Sequence, residues 1–323
     1  MSMILTGDVG GTKTLLGLFE PAQPRPKRLL VRTFRTLAFS DLRPMIAALL
    51  EDAHGAVHID TACFGVAGPV TGSSASITNV GWGVDAGQLA DAFAIARVSL
   101  LNDLEAMAHS VPVLDASELH SLQDGDRSAE GNAALIAAGT GLGEALLHRI
   151  DGRIVPSPSE GGHAEFAART DREVIVLKDL TDRFGRAEVE RVVSGPGLVN
   201  IHRALHGECE AGVDFDAPEA PAGITAAAVE RRCAGCIEAL DVFVEAYGAE
   251  AGNLALRSVS TGGVFIGGGI APRVLQALGS GAFLRAFRSK APFEALLGRM
   301  PVHVILNSEA ALLGAAAFAA AQG

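Results

Sequence analysis

Apolar and polar positions alternate along the first hundred residues with the two-residue period of half-buried β-strands, interrupted by two stretches of helical spacing. Helices are predicted after the capping residues Ser40 and Asp41 and over residues 85–95. The pattern predicts strands near residues 3–8, 13–20, 29–36, 59–66, 75–79 and 98–101. Two adjacent hairpin strands followed by strand and helix alternation indicate a mixed sheet flanked by helices.

The second part of the chain begins in the same way. Residues 134–150 again read as a buried strand, a glycine turn with a threonine and a returning apolar strand, so the chain looks internally duplicated. The polar stretch 115–132 before it is predicted to be a surface crossover between domains. Further helices are predicted near 171–184, 196–206, 224–247 and 308–321, and strands at 264–266 and 302–306.

The length of 323 residues predicts two domains, and 49% hydrophobic residues are enough for two cores. We place a small α/β domain at residues 1–110, completed by the C-terminal helix within 301–323. A large α/β domain then occupies residues 111–300. Ligand sites in such folds lie where strand ends meet glycine turns, which predicts an active site in the cleft between the domains.

Composition narrows the possible partners. Lys and Arg number 26 and Asp and Glu 37, so the net charge is −11 and no basic footprint for nucleic acid or an anionic membrane is expected. No signal sequence opens the chain, and its longest Ala/Leu stretch is too short to span a bilayer. These features predict a cytoplasmic protein whose partners are small molecules.

The most informative segment is the first turn, which reads Asp8, Val9, Gly10, Gly11 and Thr12. Two glycines let successive backbone amides point into one concavity and meet phosphate oxygens. The Asp8 carboxylate would be repelled there unless a divalent cation lay between it and the phosphates, which predicts Mg²⁺. An ordinary hairpin turn is the alternative for this segment alone.

A second turn of the same kind contains Gly139, Thr140 and Gly141. A third glycine turn, with Gly268 and Gly269, follows the apolar strand at 264–266. Its alternative is a plain strand-to-helix loop, since Pro272 stands near the predicted helix start. Repetition of the glycine turn favours the phosphate-binding interpretation.

Polar side chains at strand ends and turns supply candidate chemistry. Asp103 can accept a proton from an attacking hydroxyl, and Asn102 beside it offers an amide, although the pair also suits a helix cap. Glu160 and His163 flank two glycines and can converge on one small polar ligand. Spacing alone favours a solvated helix position for Glu190.

Cys233 and Cys236 have the spacing of metal ligands, and His163 with Glu165 gives a superficial match to zinc deaminases. Arg232 stands where that pattern requires proline. The surrounding apolar spacing instead predicts two buried cysteines inside a helix.

Six segments together resemble the bacterial glucokinases, within the superfamily of actin, hexokinase and heat-shock ATPases. In order they are Gly7–Thr12, Leu101–Asp103, Gly139–Gly143, Ser159–His163, Glu190–Gly197 and Gly262–Pro272. The resemblance covers nearly the whole chain. It implies two actin-like or RNase H-like α/β domains and transfer of the ATP γ-phosphoryl group to the 6-hydroxyl of glucose, at the entry to glycolysis.

The resemblance also implies roles for individual residues. Asp103 would be the general base, and the sugar would bind Asn102, Asp103, Glu160, His163 and Glu190. Mg²⁺ would be held through water by Asp8, and the protein would be a homodimer. ATP would bind Gly7, Asp8, Val9, Gly10, Gly11, Thr12, Gly139, Thr140, Gly141, Gly268 and Gly269.

Some points stay open in the sequence. Lys13 and Thr14 depart from the family pattern, and Lys13 receives no role. The related repressor and sugar-kinase family carries a cysteine-rich zinc loop after its Glu-x-Gly-His segment, whereas no cysteine follows His163 closely, so no structural zinc is expected. Another hexose or amino sugar as acceptor, and polyphosphate as donor, remain alternatives.

Other classes of protein fit poorly. The chain lacks the Gly-x4-Gly-Lys-Ser/Thr segment of P-loop kinases and the His-Arg-Asp segment of protein kinases. A dinucleotide fold would need a third glycine where Glu144 stands, at the start of a helix. A sugar-sensing transcriptional regulator would need a DNA-binding module, for which the acidic chain offers no segment.

Overall fold

A computed structural model describes residues 2–53, 58–77, 80–126, 128 and 130–322. The chain divides into two compact units. The first comprises Met1–Asp115 and Asn307–Gly323, and the second comprises Ala116–Leu306. Both divisions fall a few residues later than the sequence suggests.

The first unit combines eight strands with four α-helices among its described residues. The strands are β1 Ser2–Val9, β2 Lys13–Glu20, β3 Lys27–Arg35, β4 His58–Val66, β5 Val70–Thr71, β6 Ser74–Ser76, β7 Gly83–Asp85 and β8 Arg97–Asn102. The helices are α1 Arg43–Asp52, α2 Ala86–Phe93, α3 Asp103–Ser110 and, at the C-terminus, α11 Ala310–Gln322.

The main sheet of this unit is mixed, with the strand order β3-β2-β1-β4-β8. The pairs β1–β2 and β2–β3 are antiparallel, whereas β1–β4 and β4–β8 are parallel. The predicted combination of a hairpin with strand–helix alternation is therefore confirmed. The parallel strands β1, β4 and β8 point their carboxyl ends to one edge, where Asp8 and Asn102 lie.

Helix α11 packs against the side of this sheet that carries α3. Its buried residues Leu312, Ala315 and Ala316 share an apolar cluster with Ile4 of β1 and Ala106 of α3. Small side chains let two helices approach closely, so the Ala-rich sequence of α11 suits this position.

The second unit combines six strands with seven α-helices among its described residues. The strands are β9 Leu119–Gln123, β10 Ala133–Ala138, β11 Leu142–Ile150, β12 Arg153–Ser159, β13 Gly263–Gly267 and β14 Val302–Ile305. The helices are α4 Asp171–Phe184, α5 Gly195–His206, α6 Ala220–Val229, α7 Ala234–Ser258, α8 Leu275–Leu278, α9 Ala282–Arg288 and α10 Glu294–Leu297.

The second sheet repeats the plan of the first. Its order is β12-β11-β10-β13-β14-β9, with antiparallel β10–β11 and β11–β12 pairs and parallel β10–β13 and β13–β14 pairs. The first five strands thus match β3-β2-β1-β4-β8 in order and direction. This correspondence confirms the internal duplication read from the two glycine turns.

Two sequence predictions are wrong in detail. The helix predicted over 224–247 is two helices, α6 and α7, separated at residues 230–233, where Arg231 has a positive φ of 56°. Cys233 is consequently the N-cap of α7 and does not lie inside a helix. The polar stretch 115–132 contains the edge strand β9, which pairs with β14.

Other local predictions had partial outcomes. Helix α1 begins at Arg43 after Leu42, and Asp41 contributes by accepting a hydrogen bond from the Arg43 amide at 2.8 Å. Of the strand predicted at 75–79, β6 covers Ser74–Ser76, and residues 78 and 79 lie outside the described part. No helix in the described residues is long and apolar enough to cross a membrane.

Candidate active site

The first glycine turn closes the β1–β2 hairpin and is held by a buried threonine pair. The Gly10 amide donates to the Lys13 carbonyl at 3.1 Å, and Thr36 Oγ1 donates to the Gly10 carbonyl at 2.7 Å. Thr36 Oγ1 also lies 2.9 Å from Thr14 Oγ1. The Thr12 side chain is exposed. The threonine pair therefore braces the turn from inside while the turn itself faces solvent.

Two carboxylates approach each other at the carboxyl ends of β1 and β8. Burial raises the pKa of Asp8 to about 6, the nearby charge of Asp103 adds to the rise, and Lys13 opposes it. A second negative charge beside a half-buried carboxylate is costly unless a cation joins them. Lys13, for which the sequence gives no role, thus acts electrostatically on Asp8.

Asn102 is both a helix cap and a member of this group. The Leu104 amide donates to Asn102 Oδ1 at 3.0 Å and to Asp103 Oδ1 at 2.9 Å, at the start of α3. The Asn102 amide nitrogen lies 3.4 Å from the Gly68 carbonyl. The capping alternative is therefore confirmed for Asn102, and it also fixes where the Asp103 carboxylate points.

The second glycine turn lies at the corresponding edge of the second sheet. The Gly139 amide donates to the Gly141 carbonyl, and the Gly195 amide at the start of α5 donates to the Gly139 carbonyl, both at 2.8 Å. A Cβ at Gly141 would lie 2.6 Å from Glu190 Oε2, so a side chain there would displace the Glu190 carboxylate. Thr140 is exposed at the tip.

The third glycine turn lies beside the second. Strands β10 and β13 are parallel neighbours, so the turns that follow them are adjacent. Gly268 has a φ of 85°, and a Cβ there would lie 2.2 Å from the Ala138 carbonyl oxygen. The exposed Gly269 follows it. The structure therefore brings together the glycine turns that the sequence assigns to nucleotide binding in this unit.

A buried tyrosine supports these two turns from below. The Ala138 amide donates to the Tyr247 hydroxyl at 3.2 Å, and the hydroxyl lies 3.3 Å from the Ile136 carbonyl and 3.4 Å from the Gly267 carbonyl. Tyr247 is fully buried in the middle of α7. One side chain thus fixes the ends of β10 and β13 relative to the central helix.

His163 and Glu190 converge with a third residue, Glu188. Ligand-capable atoms of the three side chains all lie within 4.8 Å of one another. His163 Nδ1 lies 3.3 Å from Glu188 Oε2, and the Leu142 amide donates to Glu190 Oε2 at 2.8 Å. Glu190 is therefore anchored to the second glycine turn, and the solvated position that its spacing favours is wrong.

Glu160 begins the short 3₁₀ turn that carries His163. The His163 amide donates to the Glu160 carbonyl at 3.0 Å, and both side chains are exposed. Exposed acceptors and an imidazole beside anchored carboxylates suit a ligand with several hydroxyl groups. Such a cluster distinguishes ligands by leaving polar groups unpaired when a hydroxyl is missing.

Known proteins are similar to this chain over nearly its whole length. A family model described as Glucokinase matches residues 5–322. The glucokinase of Nostoc sp. strain PCC 7120 is 38% identical, and the alignment covers 99% of both chains. The crystal structure of a glucokinase from an Antarctic psychrotroph superimposes with a TM-score of 0.86 at 29% identity, covering 99% of each chain.

This chain belongs to the glucokinase family. Its α/β fold with mixed sheets flanked by helices is the one that the resemblance implies, and the chain is an ATP-dependent hexose kinase. A glucokinase of the ROK family from Streptomyces griseus, solved with glucose and AMPPNP, shares the fold with a TM-score of 0.70 at 20% identity, covering 99% of this chain and all of that one.

The zinc-deaminase alternative is not assembled in this glucokinase-family chain. His163 groups with Glu188 and Glu190, whereas Cys233 and Cys236 group with His202 and Cys209. The two halves of the deaminase pattern therefore belong to different clusters.

A buried carboxyl group lies under the turn that carries Glu160 and His163. Glu144 of β11 is fully buried, and neither of its oxygens has a hydrogen-bond partner among the described residues. Arg257 Nη1 approaches to 3.6 Å. A Cβ at Gly161 would lie 2.1 Å from Glu144 Oε2, which places the carboxyl directly beneath the turn. Burial, reinforced by the charge of Glu250, raises its pKa to about 7.

Replacing Glu144 with glutamine is expected to stabilise the protein at pH 8 by about 2 kcal/mol. The folded-state pKa of about 7 exceeds the ordinary 4.5, so the stability linked to the neutral carboxyl is complete below pH 4.5 and is lost as the pH rises through 7. Unfolding free energies of both proteins at pH 5 and pH 8 measure the difference. Equal offsets at both pH values would contradict the prediction, and Glu210→Gln, at an exposed position, is the control.

Sequence reasoning missed several residues of the site. Thr14 and Thr36 brace the first turn, and Glu188 joins the His163 cluster, yet none lies in a glycine-rich motif. Glu188 is held by Arg191 at 3.1 Å and by Arg186 at 2.9 Å. The contacts of Thr14, Thr36 and Glu188 join residues that lie from 2 to 26 positions apart in the sequence. The Glu-x-Glu spacing of 188 and 190 is the only local signal for these three residues.

Proposed function

We propose that this protein transfers the γ-phosphoryl group of ATP to the 6-hydroxyl group of D-glucose. The single observation that supports the acceptor most directly is the convergence of His163, Glu188 and Glu190 next to the second glycine turn, with Glu160 in the same turn as His163. Phosphoryl transfer needs little covalent chemistry from the protein, so positioning and charge stabilisation are what these residues must supply.

Asp103 is proposed as the general base. Its Oδ1 already accepts a hydrogen bond from the Leu104 amide at 2.9 Å, which holds the carboxylate in one orientation. The carboxylate then accepts the proton of the 6-hydroxyl as the oxygen attacks the γ-phosphorus, and the bond from that phosphorus to the β–γ bridging oxygen breaks. Asn102, fixed as the α3 cap, is proposed to bind a neighbouring hydroxyl group.

Asp8 is proposed to hold Mg²⁺ through water. The donor set fits a hard cation, because the half-buried Asp8 lies near a second carboxylate at the mouth of a turn with glycine amides. A pKa of about 6 leaves Asp8 ionised at neutral pH. Mg²⁺ bound with ATP neutralises phosphate charge, and Gly7, Val9, Gly10, Gly11 and Thr12 are proposed to surround the phosphates.

In the second unit, Gly139, Thr140 and Gly141 are proposed to bind phosphate through their amides. Gly268 and Gly269 are proposed to let the nucleoside lie against bare backbone, because neither residue carries a Cβ. The homodimer implied by the resemblance and the cytoplasmic location predicted from the sequence stay predictions, and sedimentation of the purified protein tests the first.

A coupled assay with glucose, mannose, fructose and glucosamine, with ATP or polyphosphate as donor, tests the substrate assignment. We expect the highest kcat/KM for glucose with ATP. His163→Ala should raise the KM for glucose about tenfold or more, corresponding to loss of about 1.4 kcal/mol, and change the KM for ATP less than about twofold.

His120→Ala, at an exposed histidine of the same unit, is the matched control and should leave both constants unchanged. Equal increases in the two Michaelis constants of His163→Ala would mean that the residue shapes the site without binding the sugar. A higher kcat/KM for another hexose would replace glucose as the acceptor.

A further inference from the structure

Three of the four cysteines come together in the second unit, in a cluster distinct from that of His163, Glu188 and Glu190. Cys233 is the N-cap of α7, Cys236 lies in its first turn, and Cys209 lies in the segment between α5 and α6. The Cys209 and Cys236 sulfur atoms are 3.5 Å apart, and the Cys236 amide donates to Cys233 Sγ at 3.4 Å. An amide directed at sulfur in a Cys-x-x-Cys turn is the arrangement that stabilises thiolates.

His202 of α5 completes the group. Ligand-capable atoms of His202, Cys209, Cys233 and Cys236 all lie within 4.8 Å of one another. The histidine is 1% exposed, and neither of its ring nitrogens has a hydrogen-bond partner among the described residues. Buried imidazole nitrogens normally have a hydrogen-bond partner or bind a metal ion. An ion bound by the four side chains would supply the partner that His202 lacks.

The orphaned histidine points at the Cys-x-x-Cys turn. A Cβ at Gly235, which stands between the two cysteines, would lie 3.0 Å from His202 Nε2. Phe215 contacts the same imidazole, with ring centroids 5.1 Å apart. The ring is therefore held in place by packing, with Nε2 beside the backbone of the Cys-x-x-Cys turn.

These dimensions match one tetrahedral metal ion. Zinc–sulfur bonds of about 2.3 Å at tetrahedral angles separate ligand sulfurs by about 3.8 Å. The observed 3.5 Å between Cys209 and Cys236 is close to that value and much longer than a disulfide bond of about 2.0 Å. A disulfide would also leave the His202 imidazole without a partner.

We propose that His202, Cys209, Cys233 and Cys236 bind one structural Zn²⁺ ion. Binding forms three zinc–thiolate bonds and one zinc–imidazole bond, and the thiol protons go to solvent. The sequence predicts no structural zinc because the loop after His163 lacks cysteines. The proposed site is formed by other segments of the second unit. It would join α5, the loop before α6 and the first turn of α7, the helix that carries Tyr247.

Metal analysis of the intact chain tests the site. Protein purified under reducing conditions without chelator should contain about one zinc ion per chain. The zinc content of Cys209→Ser and of Cys236→Ser should each be lower than that of wild type by about tenfold or more. Cys63→Ser, at the fourth cysteine in β4 of the other unit, is the matched control and should keep its zinc.

Three further measurements keep the test decisive if a variant does not fold. Wild-type protein stripped with a chelator should show a lower Tm that added Zn²⁺ restores, and added Co²⁺ should produce thiolate charge-transfer and tetrahedral ligand-field absorption. Thiol titration of the unreduced chain in denaturant with chelator should find four thiols. Reduced wild-type protein that takes up neither metal, or a titration that finds two thiols, would overturn the proposal.

The proposal does not depend on the kinase assignment. Zinc content, cobalt spectra and thiol counts are measured without substrate, so their failure would leave the proposed sugar phosphorylation untouched. Equal zinc loss in Cys63→Ser and Cys236→Ser would likewise reject the site, because it would show that zinc is lost through damage common to any cysteine variant and not through removal of a ligand.

Discussion

Asp103→Asn is expected to reduce kcat by about 10³-fold or more while leaving the KM for ATP within about threefold of wild type. Asparagine keeps the shape of the side chain and can still accept the Leu104 amide hydrogen bond, but it cannot take the proton of the hydroxyl group. Removing this charge also removes one cause of the raised Asp8 pKa, so binding of ATP with Mg²⁺ should not suffer.

Steady-state kinetics with glucose and ATP measure this effect, and Asp91→Asn at an exposed position of α2 provides the control. Retention of more than about a tenth of wild-type turnover would remove Asp103 from the role of base, because general-base catalysis contributes at least about 10²-fold. A parallel rise in the KM for ATP would point instead to a collapse of the turn beside Asp8.

Gly268→Ala is expected to raise the KM for ATP about tenfold or more. Alanine at a φ of 85° is strained by about 1–2 kcal/mol, and its Cβ would lie 2.2 Å from the Ala138 carbonyl oxygen, so the turn must move. The displaced turn adjoins the one containing Gly139, where phosphate is proposed to bind. The KM for glucose, measured at saturating ATP, should change less than about twofold.

The matched control for this substitution is Gly279→Ala. Gly279 follows α8 and has a φ of −75°. A Cβ added there would have no contact shorter than 3.4 Å, so alanine fits without strain. Thermal unfolding of both variants separates local from global damage. An unchanged KM for ATP in Gly268→Ala, with a lowered Tm, would mean that this turn supports the fold but does not meet the nucleotide.

The parts of the fold that the sequence predicts well are set by local rules. The two hairpins follow from alternating apolar residues around glycine turns, and α2 begins where Asp85 can accept from the Gln88 amide at 2.9 Å. The prediction of one long helix over 224–247 is wrong because the helical spacing of apolar residues continues on both sides of the break at Arg231 and does not reveal it. An edge strand such as β9 has few apolar residues and is recognised only through its pairing with β14.

The candidate site divides in the same way. Asp8, Asn102, Asp103, Glu160, His163 and the glycines lie in short motifs, so the sequence finds them. Thr36 reaches Gly10 across 26 residues, and Cys209 reaches Cys236 across 27. Neither spacing follows any helix or strand period, because the fold and not local geometry decides which distant segments touch.

The two sheets share one strand order but carry different residues at equivalent positions. Asp8 is paired with Leu15 and Gly65, and its counterpart Ala137 is paired with Gly143 and Gly267, one residue before each hairpin's last pair. One copy of the scaffold therefore carries an acid at this point and the other carries only a methyl group. The duplicated framework is therefore chemically asymmetric at this position, because the ionisable group at the end of β1 has no equivalent at the end of β10.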